Sequence, residues 1–213
     1  AKNKAGTFEP VSYIDFAQQM FYFASGLITL GNGKNDHVGL ISDNRKEWLV
    51  CSMGIMALGC ADIPRGSEAT VKDLSYILSF SESKTVIVEN NYSFKKIIEC
   101  RGDLKTLQNI VVIDPTGVDK TLIDVPVYTY DEVIEAGKKY RTENPGKIEE
   151  ILNSVTGTNF PLKFVLESEI EKQDIVQQLY EQSDINGYAF YDYQAKDFHT
   201  DLCRSRTRQR ART

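Results

Sequence analysis

Thirty consecutive residues, His37 to Gly66, HVGLISDNRKEWLVCSMGIMALGCADIPRG, carry the pattern of a strand, a helix and a second strand with no position to spare. Val38, Leu40 and Ile41 form the short apolar run expected of a strand buried on both faces. Asp43 and Asn44 follow, with side-chain oxygens suited to the free N–H groups of a helix start, and Asn44 is the expected cap. From Arg45 the apolar residues Trp48, Leu49, Met53, Ile55, Met56 and Leu58 mostly recur at helical spacing. Glu47 sits in the first turn, where the dipole favours negative charge, and Gly59 stops the helix. Cys60 to Pro64 then returns as a strand. Such a βαβ unit commits the chain to parallel strands joined by a right-handed crossover.

The flanking sequence repeats the alternation. Phe8 to Ile14 reads as a short extended piece around Pro10, and Asp15 opens a helix whose apolar face is Phe16, Met20, Phe23, Ala24, Leu27 and Leu30, ended by Gly31. Gly31-Asn32-Gly33-Lys34 lacks the glycine spacing of a phosphate loop and reads as a helix-to-strand turn with glycine at the left-handed positions. Thr70 and Asp73 resemble a capping box for a helix through Leu74, Ile77, Leu78 and Phe80. A strand over Lys84 to Glu89, a helix over Asn91 to Cys100, strands over Asn109 to Asp114 and Val127 to Tyr130, and a helix over Asp131 to Tyr140 follow. The expected class is α/β, a mostly parallel sheet with flanking helices. After Pro145-Gly146 breaks the chain, Lys147 to Val155 reads as helix and Val165 to Gln182 as a polar surface helix. Gly187 to Tyr193 is an aromatic run that fits a strand or a loop.

With 213 residues, 41% hydrophobic and 26% charged, the chain can bury one sizeable core. No apolar run approaches the roughly 18 residues that span a bilayer, and the start AKNKAGTFEP has no signal-peptide character, so a cytoplasmic location is expected. Cys51, Cys60, Cys100 and Cys203 form no CxxC pair and are expected to be small buried or free thiols. His37 and His199 make no metal pair. The net charge of -5 includes five arginines between Arg204 and Arg212, so the rest of the chain carries -10, which argues against nucleic acid as the partner of the fold.

The run V-G-L-I-S-D-N-R-K-E-W, followed by M-A-L-G-C-A-D-I-P-R-G-S, resembles the N-terminal domain of the adenylate-forming acyl-CoA synthetases. Ala57, Leu58, Gly59, Ile63 and Pro64 fall where that family's pattern has them, and Cys60 stands where the family more often has Ala. Arg65-Gly66-Ser67 is most similar to the bacterial long-chain fatty acid CoA ligases, and the likeness runs from about Phe8 to Lys139. The resemblance implies a parent enzyme that joins a fatty acid to AMP with loss of pyrophosphate and hands the acyl group to coenzyme A, using ATP and Mg2+. It leaves peripheral membrane association of that parent open.

The family's phosphate loop, Y-T-S-G-T-T-G-x-P-K-G, works by converging backbone N–H groups and hydroxyls on the triphosphate. In the family it follows an Asp-Leu closely. Here Asp201-Leu202 arrives, and the text changes to CRSRTRQRART. Thr156 to Lys163 imitates the loop's Gly-to-Lys spacing but lacks its further glycines and a preceding buried strand. The Arg tail has three readings: a nucleic-acid-binding arm, a solvated terminus, or residues not native to the gene. The third is preferred, because alternate arginines have no packing logic and the change is abrupt at a family motif.

These readings divide the chain into an N-terminal α/β subdomain over residues 1–143, a helical or irregular extension over 144–202, and an Arg-rich tail over 203–213. The chain is then the N-terminal part of a ligase, without catalytic residues, metal ligands or identifiable cofactor positions of its own. It is expected to be inactive, to bind no cofactor, and to self-associate through unpaired sheet edge and apolar surface. Lys34, Arg45, Lys46 and Arg65 are expected in separate loops or a helix start, as surface charge or cap-side ion pairs. The rival reading is a stand-alone, non-catalytic α/β module that binds a ligand or partner through the carboxyl ends of its strands.

Overall fold

Side chains alternate across a strand, so a strand covered on both faces must be apolar at consecutive positions. That condition is met in the computed structural model, which describes residues 10–156 and two short strands further on. Strand β1 (His37–Ile41) is buried from Val38 onward, β3 (Thr85–Val88) and β4 (Asn109–Val112) throughout. With β2 (Ala61–Arg65) and β5 (Val127–Thr129) they form one sheet, all parallel, in the order β2-β1-β3-β4-β5. The α/β class with a parallel sheet and flanking helices is therefore the one observed.

The two faces carry separate cores. Val38 and Leu40, with Ile87 and Val111, point into a cluster with helices α1 (Tyr13–Thr29), α2 (Lys46–Ala57), α5 (Tyr130–Glu143) and α6 (Lys147–Thr156). Ile41, Val86, Val88, Ile110 and Val112 point the other way, into a cluster with α3 (Val71–Phe80) and α4 (Asn91–Cys100). On that side Gly39 lets β1 lie under Leu78, whose Cδ2 would be 2.6 Å from an added Cβ. Pro64 is tolerated because β2 is an edge strand: Ala61 donates to Asp36 and Arg65 accepts from Ser42, so the missing N–H faces away from β1.

The helix starts follow local chemistry. Thr70 and Asp73 form the expected capping box for α3, Asn90 caps α4 through the N–H groups of Tyr92 and Ser93, and Thr129 with Glu132 forms a second box for α5. Gly59 (φ 71°) closes α2 and Gly146 (φ 78°) separates α5 from α6.

Four expectations need correction. Tyr13 and Ile14 are helical rather than extended, because Ser12 caps α1 by accepting from the Asp15 N–H and donating to its carboxylate. Asn44 is not the cap of α2: Arg45 occupies that position without a side-chain cap bond, and Asp43 is engaged elsewhere. In the turn before β1 the left-handed residues are Gly31 (φ 83°) and Asn35 (φ 71°), not Gly33. The buried face of α2 is Val50, Cys51, Gly54, Ile55 and Ala57, whereas Leu49, Met53 and Met56 are exposed. Small residues decide that choice, since Gly54 admits Phe23 and the Met20 carbonyl of α1 within about a van der Waals contact.

The chain divides into two compact units, Ala1–Leu162 and Lys163–Thr213. In the second, β6 (Tyr191–Asp192) pairs antiparallel with β7 (Asp197–Phe198). The polar helix expected over 165–182, most of the aromatic run, residues 157–163 of the loop imitation, Asp201-Leu202 and the Arg tail lie outside the described residues.

Candidate functional site

The sheet order reverses between β1 and β3, because β1 crosses over to β2 on one side and β3 to β4 on the other. In open α/β sheets the crevice at the carboxyl ends of such a strand pair is the usual ligand position. Three loops meet there: Ser42 to Arg45 after β1, Gly66 to Ala69 after β2, and Glu89-Asn90 after β3.

Glu89 spans the gap. Its Oε2 accepts from the Ser42 hydroxyl at 3.1 Å and from the Asp43 backbone N–H at 2.8 Å. The Arg45 guanidinium lies 3.7 Å from Oε1 of Glu89 and makes its closer ion pair, 2.8 Å, with Glu47. This is the cap-side pairing expected of Arg45. The Asp43 carboxylate reaches across to the β2–α3 loop, accepting from the Ser67 N–H at 2.9 Å and its hydroxyl at 2.7 Å. From the other side Lys96 of α4, only 8% exposed, donates to the Ser67 carbonyl at 2.8 Å and the Ala69 carbonyl at 2.7 Å. Its ammonium also stands 4.2 Å from the centre of the Tyr92 ring. All three polar atoms of Ser67 are thus bound by charged side chains.

The Ser67 N–H, and then its hydroxyl, hold the Asp43 carboxyl below its ordinary range. Burial pushes Glu47 up, but the bond from Arg45, the residue's own backbone amide and the charges of Arg45 and Lys46 outweigh it, leaving Glu47 below its ordinary value. Deeper in, Tyr130 stacks on Phe23 with ring centres 5.6 Å apart, and burial, then the neighbouring Cys51 and Glu47, push its phenol upward. The crevice therefore presents the Asp43, Glu47 and Glu89 carboxylates against the Arg45 guanidinium and the Lys96 ammonium, with the Asp43 N–H and the Ser67 N–H and hydroxyl committed to Glu89 and Asp43. That chemistry locks loops together. A phosphate needs convergent donors instead.

Of the other basic residues picked out by the sequence, Lys46 opens α2 beside Arg45. Lys34 lies in the turn before β1, at the opposite edge of the sheet, and Arg65 donates to the Pro64 carbonyl. Among the described residues no group of three or more His, Cys, Asp or Glu is placed to hold a metal ion. Cys51, Cys60 and Cys100 are buried free thiols, as expected. Sequence reasoning missed Lys96, Glu89 and Ser67. A signal existed for Lys96, which falls between Ser93 and Cys100 on the buried face of α4.

Residues 3–154 match the family described as AMP-binding enzyme. The chain belongs to that family. Among curated proteins it is similar to a chloroplastic long-chain-fatty-acid–[acyl-carrier-protein] ligase of Arabidopsis thaliana, 31% identical over 135 residues, covering 62% of this chain and 19% of the relative. It is also similar to a long-chain-fatty-acid–CoA ligase of Mycobacterium tuberculosis, 26% identical over 112 residues, covering 53% of this chain and 19% of the relative. The chain thus spans about a fifth of the length of these relatives.

Among solved structures, an anthranilate CoA ligase in complex with anthranoyl-AMP superposes with a TM-score of 0.54 at 22% identity, over 60% of this chain and 23% of that one. The A domain of a carboxylic acid reductase from Segniliparus rugosus, in complex with AMP and a carboxylic acid, gives 0.55 at 19% identity, over 62% and 24%. These likenesses establish the fold shared with adenylate-forming enzymes. The sequence resemblance from Phe8 to Lys139 falls inside the family match.

Proposed function

We propose that this chain is the N-terminal α/β part of an acid–thiol ligase that activates a long-chain fatty acid. In the complete enzyme a fatty carboxylate oxygen attacks the α-phosphorus of ATP and displaces pyrophosphate. The thiolate sulfur of coenzyme A then attacks the acyl carbonyl and releases AMP. The observation that carries this reading is the family match over residues 3–154, together with relatives whose names specify long-chain fatty acid ligases. Mg2+ is assigned to the nucleotide rather than to the described residues. The described part acts as scaffold: its carboxyl-edge crevice is closed by Glu89, Asp43 and the Ser67 loop, which supports a nucleotide site elsewhere in the parent. The chain alone is proposed to be inactive. Among the described residues no helix is long and apolar enough to cross a membrane, and a cytoplasmic location is part of the proposal.

Pyrophosphate exchange into ATP, measured on the product of the complete reading frame with acids of graded length, tests the activity. Stimulation by long-chain acids is expected, and preference for acetate or an amino acid would refute the substrate class. Calorimetric titration of this chain with MgATP is expected to give affinity no tighter than about millimolar, since convergent charge-assisted hydrogen bonds are missing from the crevice. A micromolar constant would overturn the inactive-scaffold part of the reading.

A further inference from the structure

The turn between α1 and β1 contains the dipeptide Asn32-Gly33, and neither packing nor backbone conformation calls for the glycine. Gly33 is not left-handed, and an added Cβ there would meet nothing within 4 Å. What a glycine supplies at this place is chemical: with no side chain to shield it, its backbone nitrogen can reach the Cγ of the preceding asparagine. Asn32 is only 4% exposed. Its N–H closes the end of α1 on the Leu27 carbonyl at 3.0 Å, and its Oδ1 accepts from the Thr85 hydroxyl at 2.7 Å. Its Nδ2 is buried with no hydrogen-bond partner among the described residues, so half of the amide goes unsatisfied. The Gly33 N–H donates to the Asp36 carboxylate at 2.8 Å, and the Asp36 N–H returns to the Gly33 carbonyl at 3.0 Å.

We propose that Asn32-Gly33 is a site of spontaneous backbone modification, held off by the folded turn and reacting irreversibly when the turn opens. The Gly33 nitrogen, once deprotonated, bonds to Asn32 Cγ, and the Cγ–Nδ2 bond breaks as Nδ2 leaves as ammonia. The resulting succinimide adds one water and opens on either side, to aspartate or to isoaspartate, in which the main chain runs through Cγ. Water is the sole co-reactant. Two contacts oppose the first step in the folded chain. The Asp36 carboxylate favours the protonated Gly33 amide, and the Thr85 hydroxyl holds the Asn32 side chain against the rotation that ring closure needs. The product does not fit the place it left. A carboxylate puts charge where Nδ2 already lacks a partner, and Lys84, whose ammonium reaches this turn, is engaged by the Gly31 carbonyl and Asp36. Isoaspartate lengthens the main chain between the end of α1 and the bond from the Asn35 N–H to the Gly59 carbonyl.

The test incubates the chain at mildly alkaline pH, folded and in urea. Peptide mass spectrometry follows the exchange of NH2 for OH at Asn32, with isoaspartate separated from aspartate by chromatography. The same dipeptide recurs at Asn186-Gly187 and calibrates the reaction in urea, where the two sites are expected to convert alike. In the folded chain Asn32 is expected to convert at least about tenfold more slowly than in urea, because only the opened fraction reacts. Asp36→Asn should raise the folded rate and leave the urea rate unchanged, whereas Gly33→Ala should suppress conversion in urea. Alkylation of buried Cys100, in the core on the other face of the sheet from α1, reports global unfolding in the same samples. Acceleration at Asn32 in the Asp36→Asn chain without a matching rise at Cys100 places the protection in the turn. A matching rise, no acceleration, equal Asn32 rates in the folded chain and in urea, or no conversion in urea would each overturn the proposal. So would a converted, refolded chain whose urea midpoint equals that of the starting chain, since the modified turn would then have closed again.

Discussion

Gly137 of α5 lies against the carbonyl of Tyr22 in α1 so closely that an added Cβ would collide with that oxygen and stand 2.8 Å from the Gly26 nitrogen. Gly26 in turn faces Val133, whose Cγ1 an added Cβ would meet at 2.6 Å. The helix pair that covers one face of the sheet is therefore set by two glycines, and the obstacle to a side chain is backbone, which yields less than a rotamer does. Gly137→Ala is expected to destabilise the chain by about 3 kcal/mol, the upper end of overpacking costs. Gly102→Ala, where an added Cβ meets nothing within 4 Å, should be nearly neutral. Urea unfolding of both variants tests this, and equal midpoints would refute the close-approach account.

Lys96 makes a second pair of non-local ties. Lys96→Met keeps the length and apolar stem but leaves the Ser67 and Ala69 carbonyls without the ammonium. Bonds to a charged group are worth roughly 1.5–3 kcal/mol each, and the loop can recover part of that from water, so a loss near 2 kcal/mol is expected. Hydrogen exchange over residues 66–69 should accelerate by more than the global change accounts for. Uniform acceleration across the sheet would mean that Lys96 supports the core rather than the loop.

Asp43, Asp73, Asp124 and Glu132 are all held below their ordinary values, chiefly by Ser67, Thr70, Arg101 and Thr129 in turn. A carboxylate whose folded pKa is depressed contributes stability above its unfolded pKa and loses it as pH falls through the folded one. Stability should therefore hold near neutrality and decline below about pH 4, the ordinary carboxylate range. Asp43→Asn should reduce the steepness of that decline. A midpoint in urea that does not move between pH 6 and pH 3, values chosen to bracket that range, would contradict it.

Residues joined by local chemistry were legible in advance, and residues joined across the sheet were not. The Thr70 and Asp73 box, the helix Asn91–Cys100 and the apolar strand runs each depend on neighbours within a few positions, so pattern alone finds them. The face of α2 could not be read, because apolar residues surround that helix and periodicity has no polar side to mark. Asp43 illustrates the other failure. Its sequence setting suggests a cap, but Ser67, 24 residues away, offers both an N–H and a hydroxyl and takes the carboxylate. Lys96 is 29 residues from the same serine, and only the crossover that returns β3 beside β1 brings the three together.

Thiol chemistry gives the last test. Burial pushes the Cys60 and Cys100 thiols up to about 11 and Cys51, which is fully buried, well above its ordinary value. Since the thiolate is the nucleophile, native Cys51, Cys60 and Cys100 should react with an alkylating reagent at pH 8 orders of magnitude more slowly than an exposed thiol of ordinary pKa near 8.5. Labelling should rise with urea along the same curve as loss of helical signal. The linked effect has the opposite sign to that of the carboxylates: a thiol with a raised folded pKa stabilises fully below its unfolded pKa, and that contribution is lost as pH rises from about 8.5 towards 11. Cys60→Ala removes the thiol that donates to the Gly33 carbonyl at 3.0 Å, so it should weaken the turn before β1 slightly while flattening the alkaline decline. Rapid alkylation of Cys60 in the folded chain at pH 8, followed by peptide mapping, would show that this thiol is neither buried nor held protonated.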